Sequence, residues 1–197
     1  MIILLIILFF LTSYYFTRRF QNTENMKKPG PNSELYSIAY DLGVEYLKII
    51  KGTSSNQMVM FDIDDTLLYV NANGTLSPIK SIIKLLKYAQ KNGFKVFILT
   101  ARDSRYIEET QKDLAINNIP YDYLYLRVSP QDDYPTFKSD IKKMYYEHYG
   151  LKTVFSIGDN DIDVNGGYSG YCIKLPNKTD PRLFHINMYG QLENVVP

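Results

Sequence analysis

The stretch QMVMFDIDDTLL, residues 57–68, decides the fold. Met58 to Phe61 is a short apolar run without alternation, the pattern of a central parallel strand covered by helices on both faces. Asp62 and Asp64 stand just past its end. A strand places alternate side chains on one side, so the two carboxylates are expected to converge while Ile63 turns into the core. Carboxylates that close repel each other and both ionise near pH 7 only with a cation among them; an oxygen-only ligand set suits Mg2+. Taken alone, a DxD pattern is more often a solvated acidic turn.

Three downstream segments change that balance. FILT, residues 97–100, is a second apolar run, ending in the hydroxyl of Thr100. Lys138 opens a helical segment, and VFSIGDNDID, residues 154–163, is another buried strand that ends in Asp159, with Asp163 four residues on. In this order and spacing the set resembles the haloacid dehalogenase (HAD) phosphohydrolase superfamily, whose motifs are DxDx(T/V), a terminal Ser/Thr, a Lys, and GDxxxD. Here they read Asp62, Asp64 and Thr66; Thr100; Lys138; and Gly158, Asp159 and Asp163. LYLR at Leu124–Arg127, FKSD around Lys138 and IKLPN at Ile173–Asn177 resemble the acid-phosphatase branch, subfamily IIIB. The last motif departs from that branch: Asn160 stands in place of the usual Gln-Trp, and Asp161 adds a third carboxylate.

The resemblance implies a Mg2+-dependent phosphatase. Asp62 would be the nucleophile that forms an aspartyl-phosphate, and Asp64 the general acid and base. Lys138 would supply fixed positive charge and Thr100 would hold a phosphate oxygen. The metal would sit on Asp62, the main-chain carbonyl of Asp64, and Asp159, with Asp163 orienting water or Lys138. Thr66 is expected to fix the loop. Arg102 and Arg127 also recur in relatives and stay open between substrate contact and a plain ion pair; Asp161 stays open between metal binding and capping a turn. The gaps between motifs hold no cap domain, so the site is expected to be open to small phosphomonoesters or to a phosphate displayed on a macromolecule.

The bulk numbers agree with one domain and an appendage in 197 residues. A net charge of +1 gives no basic field for a polyanion, which counts against nucleic acid as a partner. Cys172 is the sole cysteine and so forms no intramolecular disulfide; its YCIKL setting reads as a buried strand.

In chain order, residues 1–20 begin with the apolar MIILLIILFFLTSYYF and lead into Arg18 and Arg19. They read as a single-pass membrane anchor, short against the ~17–25 residues of a span, with a cleaved signal peptide as the alternative. The positive flank places the catalytic part on the cytoplasmic side, or in the lumen or outside if a signal is cleaved. The sequons at Asn73 and Asn177 offer a check on topology. Residues 21–31 read as a linker and 32–197 as the catalytic domain. A helix is expected from Ser33 to Lys51 with Gly52 as its cap, an Asn-Gly hairpin flap over Tyr69–Thr75, and a helix with Ser77 as N-cap, Pro78 at its first position and Gly93 as its stop. Strands alternating with helices predict an α/β, Rossmann-like parallel sheet of about five strands, and the tail from Pro176 is uninformative apart from LFHINMYG, residues 183–190, a candidate to pack on the body.

Rival readings keep the fold or change the class. Nucleic-acid 3′-phosphatases, protein phosphatases and a lipid-phosphate specificity share the fold. A signalling receiver places its phosphorylated Asp on a later strand than its acidic pair, unlike this chain. A catalytically silent membrane scaffold is opposed by four intact motifs.

Overall fold

A computed structural model of the chain describes residues 28–51, 56–128, 136–186 and 191–195. The proposed anchor at residues 1–20 and Gly52 lie outside these. Among the described residues no helix is long and apolar enough to cross a membrane.

Helix α1 (Glu34–Ile50) starts at Ser33, whose Oγ accepts from the Leu35 N–H, and buries Tyr36, Ala39 and Leu47. Strand β1 (Gln57–Phe61) is buried at every position. Val59 and Phe61 enter the larger core under α1, and Met58 and Met60 enter a second one on the opposite face. Two covered faces explain its unbroken apolar reading.

Strands β2 (Leu68–Val70) and β3 (Leu76–Pro78) pair antiparallel as the expected flap. The helix after them, α2 (Lys80–Lys91), begins later than its sequence signals suggest: Ser77 and Pro78 lie in β3, opposite Tyr69 and Leu68, and Ile79 is the N-cap. The Ser77 hydroxyl accepts from the Asn71 side chain, so the flap has taken the residue that capping chemistry would have used.

Strand β4 (Lys95–Asp103) runs past Thr100 through an irregularity in its pairing. A 3-10 turn (Ser104–Tyr106) leads to α3 (Ile107–Ile116), followed by β5 (Tyr123–Arg127). Helix α4 (Phe137–Tyr149) stops at Gly150, whose φ of 65° is the left-handed cap that glycine adopts without strain. Then come β6 (Lys152–Gly158), the one-turn helix α5 (Asp161–Val164), β7 (Tyr171–Lys174), β8 (Phe184–Ile186) and β9 (Leu192–Asn194).

The sheet order is β5-β4-β1-β6-β7-β8-β9. Its first five strands are parallel, in the doubly wound arrangement with order reversing between β1 and β6. The expected five strands are thus extended to seven, because β8 and β9 add antiparallel beyond β7. Each is three residues long, too short for a period of two to register against its surroundings. Residue 28, inside the expected linker, is already docked on the body: the Lys28 ammonium meets Asp65.

Candidate active site

The singled-out residues gather at the carboxyl ends of β1, β4 and β6, where the strand order reverses and ligands of doubly wound sheets bind. A cleft of about 220 Å³ is lined by Asp62, Asp64, Thr100, Arg102, Lys138 and Asp163, among others. Thr66, Arg127 and Asp159 are not part of its wall.

The loop after β1 does not continue the strand's alternation. The Asp62 N–H still reaches the Ile157 carbonyl at 3.1 Å, but the chain then wraps around the buried Ile63, whose carbonyl accepts from the N–H groups of Thr66, Leu67 and Leu68. Asp65 takes a φ of 57°, a left-handed conformation that aspartate tolerates better than most residues. Asp62 and Asp64 both line the cleft, each with a different cationic partner. The Asp64 carboxylate is held in the fork of Arg102, with Nε at 2.8 Å from one oxygen and Nη2 at 2.7 Å from the other. Arg102 is itself tied to Asp113 on α3 at 2.9 Å. Thr66 fixes the loop through its backbone; its buried hydroxyl has no hydrogen-bond partner among the described residues.

Lys138 lies in the first turn of α4, 1 % exposed. Its ammonium donates to Asp62 at 2.5 Å and also to Asp163. Burial works against its charge, yet Asp163 and Asp62 outweigh that and hold the lysine above its ordinary pKa. Asp163 gets its position from α5. The Asn160 N–H donates to its second oxygen at 2.9 Å in a capping box, and a Cβ on Gly158 would overlap its carboxyl group. Glycine at 158 is thus required by close approach.

One oxygen from each of Asp62, Asp159 and Asp163 lies within 4.8 Å of the others, all three side chains buried. This is the carboxylate set able to hold a metal. It joins Asp163 to the expected Asp62 and Asp159; the Asp64 carboxylate is held by Arg102. Among the described residues Asp159 has no cation within ion-pair distance; its side chain accepts only from the Asn160 amide, at 2.9 Å. Burial, then Asp62 and Asp163, push its pKa up to about 8, and burial raises Asp62 as well. Three crowded, buried carboxylates sharing one lysine are short of positive charge, and their hard oxygen donors fit a divalent cation such as Mg2+.

The buried Thr100 accepts at Oγ from the Arg102 N–H, 3.2 Å away. Asp161, itself exposed, forms an ion pair at 2.9 Å with the mostly buried Lys174. Arg127 sits on β5 opposite Asp103. Cys172 is buried as expected, and burial pushes its thiol up to about 11.

Two supports escaped sequence reasoning. Lys142, one turn after Lys138 and fully buried, donates to the Asp163 carbonyl at 3.1 Å and to Ser169 Oγ at 2.5 Å. Its spacing of four from Lys138 was a usable signal, since such residues share a helix face. Asn177 donates to the Asp159 carbonyl at 2.6 Å. Its sequon masked that role, and its burial leaves Asn73, exposed at the flap tip, as the accessible sequon of the two.

A doubly wound sheet with a carboxylate and lysine cleft at its switch point defines a class of α/β enzyme, and comparison with known proteins narrows it. The family model for the HAD superfamily, subfamily IIIB (acid phosphatase), matches residues 69–180, which include Thr100, Lys138, Asp159 and Asp163. Acid phosphatase 1 of Solanum lycopersicum is 30% identical over 182 residues, covering 78% of this chain and 70% of that protein. The chain belongs to this acid-phosphatase family of the HAD superfamily and is a phosphatase. Among solved structures, the class C acid phosphatase of Bacillus anthracis with tungstate bound matches with a TM-score of 0.55 at 21% identity, over 67% of this chain and 64% of that one. The Pnkp1/Rnl/Hen1 RNA repair complex matches with a TM-score of 0.51 at 26% identity, over 61% of this chain and 42% of that one. The chain thus spans less than two thirds of either structural relative.

Proposed function

We propose that this phosphatase is a Mg2+-dependent phosphomonoester hydrolase working through an aspartyl-phosphate on Asp62. The observation that carries the reading is the Lys138 ammonium held between Asp62 and Asp163, inside a carboxylate cluster still short of positive charge. Asp62, Asp159 and Asp163 would hold such a cation, which would supply the charge that lets a carboxylate approach a phosphate dianion.

Lys138 orients the Asp62 carboxylate, whose oxygen attacks phosphorus in line while the bond to the substrate alcohol breaks. Asp64 gives a proton to the departing oxygen, then takes one from the water that attacks the same phosphorus and releases inorganic phosphate and free Asp62. The fork of Arg102 sets the direction of Asp64 in both steps. Thr100 holds a phosphate oxygen at the floor of the cleft.

The substrate range is broad. Among the described residues no cap domain stands between the motifs, and the flap of β2 and β3 is the insertion that follows the first. A second reading, a phosphate at a nucleic-acid 3′ end, is favoured by the RNA repair neighbour and opposed by the net charge of +1. Residues 1–20 anchor the chain in a membrane with the catalytic part on the cytoplasmic side, a reading supported by the apolar run and the arginines after it. Glycan attached at Asn73 would reverse that topology.

The test is hydrolysis of p-nitrophenyl phosphate, a phosphomonoester panel and a 3′-phosphorylated oligonucleotide, with Mg2+ or with chelator. Asp62→Asn is expected to lower kcat on the order of a thousandfold or more, as removal of a nucleophile does. Activity that survives both that substitution and chelator would overturn the mechanism.

A further inference from the structure

We propose that Lys28 is a positioning residue of the active site, through which the chain segment entering the domain fixes the catalytic loop and its flap. The inference rests on the reading of Asp62 and Asp64 as the reacting carboxylates. Lys28 stands in a stretch whose sequence reads as a linker, yet its side chain is 6 % exposed. Its ammonium pairs with Asp65, donates to the Val70 carbonyl at 3.3 Å, and lies 3.7 Å from the centre of the Tyr69 ring. One cation therefore touches the loop between the motif aspartates and the flap, together with the first flap strand.

Asp65 is the hinge of this arrangement. Its backbone is in the left-handed region, its N–H donates to the Leu68 carbonyl at 2.7 Å, and its carboxylate accepts from the Val70 N–H at 2.8 Å. Asp64, its chain neighbour, bridges to Leu68. With its carboxylate mostly buried, Asp65 needs a compensating charge to hold that turn, and among the described residues the ion-paired cation is Lys28, 37 positions upstream. Without it the loop loses a fixed turn next to Asp64, and a displacement of about 1 Å in a reacting group is enough to slow chemistry substantially.

The experiment compares Lys28→Met, Lys28→Arg and Asp65→Asn in the full chain, with p-nitrophenyl phosphate and saturating Mg2+ well below the melting temperature. Leu47→Ala, a core truncation in α1 away from the flap, reports what lost stability alone does. Lys28→Met is expected to lower kcat at least tenfold with KM changed less than threefold, and to speed hydrogen exchange at the Val70 amide. Lys28→Arg should restore part of the rate, and the double variant Lys28→Met with Asp65→Asn should be no slower than the slower single. Leu47→Ala should melt earlier and keep its kcat. A Lys28→Met protein with kcat within twofold of the parent, or one that falls only as far as Leu47→Ala, overturns the proposal. Full activity in Asp62→Asn would instead overturn the reading beneath it, so the two failures are distinguishable.

Discussion

The two acidic loops of the site treat their charge in opposite ways. After β1, each carboxylate past Asp62 has its own cation: Asp64 lies in the fork of Arg102, and Asp65 meets Lys28. After β6, the buried carboxylates are undersupplied. Asp163 shares Lys138 with Asp62, and Asp159 has no cation within ion-pair distance among the described residues. Balanced charge fixes direction. Unbalanced charge, buried in three neighbouring side chains, creates demand for a divalent ion and for a phosphate drawn to it.

The sharpest way to break this contrast is to remove its shared cation. Lys138→Met leaves Asp62 and Asp163 buried without their lysine, which is expected to destabilise the metal-free protein by about 3–5 kcal/mol and to remove nearly all activity. Melting with and without Mg2+ checks it: the ion should recover more stability in Lys138→Met than in the parent. Equal recovery would mean that the cluster was never short of charge.

A pH series tests the undersupplied loop directly. Asp159 has its pKa raised from the ordinary carboxylate range to about 8 by burial and its neighbours. The unfolded chain releases that proton near pH 4 and the folded chain only near pH 8, so the stability it contributes is present at low pH and is lost as pH rises between the two. The metal-free protein should therefore melt earlier at pH 8 than at pH 5. Mg2+ should stabilise it more at pH 8 and release protons on binding at pH 7. Absence of proton release in a calorimetric buffer comparison would count against the cluster as the metal site.

The balanced loop predicts a kinetic effect with little cost in stability. Arg102→Lys keeps a charge but loses the two-point grip on Asp64, so kcat is expected to fall roughly tenfold to a hundredfold with KM nearly constant. The smallest effect is expected at Asp161. Asp161 itself is exposed although its partner Lys174 is mostly buried, and Asp161→Asn should change stability by about 1 kcal/mol and leave Mg2+ dependence intact. A marked loss of metal affinity there would extend the undersupplied cluster outward.

Much of this architecture was legible in the chain. The unbroken apolar run at Met58–Phe61 and the mostly apolar Val154–Ile157 announced buried strands, and for β1 the cores on its two faces give the reason. Less legible was anything decided by competition. Ser77 and Pro78 carry a strong helix-start signature, but pairing with Tyr69 and Leu68 in the flap prevailed over local capping. Asn177 carries a modification signature, but its amide is engaged with the Asp159 carbonyl. Lys28 looked like solvent-facing linker because its partners lie 37 and more positions away.

By itself the sequence determined which chemical groups exist and roughly where along the sheet they end up, since local periodicity fixes strands and strand ends fix the position of the residues that follow. Tertiary structure alone decided which carboxylate faces which cation. That outcome depends on the wrap of the loop around Ile63, the close approach permitted by Gly158, and the docking of α4 across the end of β1, all of which are contacts between segments far apart in the chain.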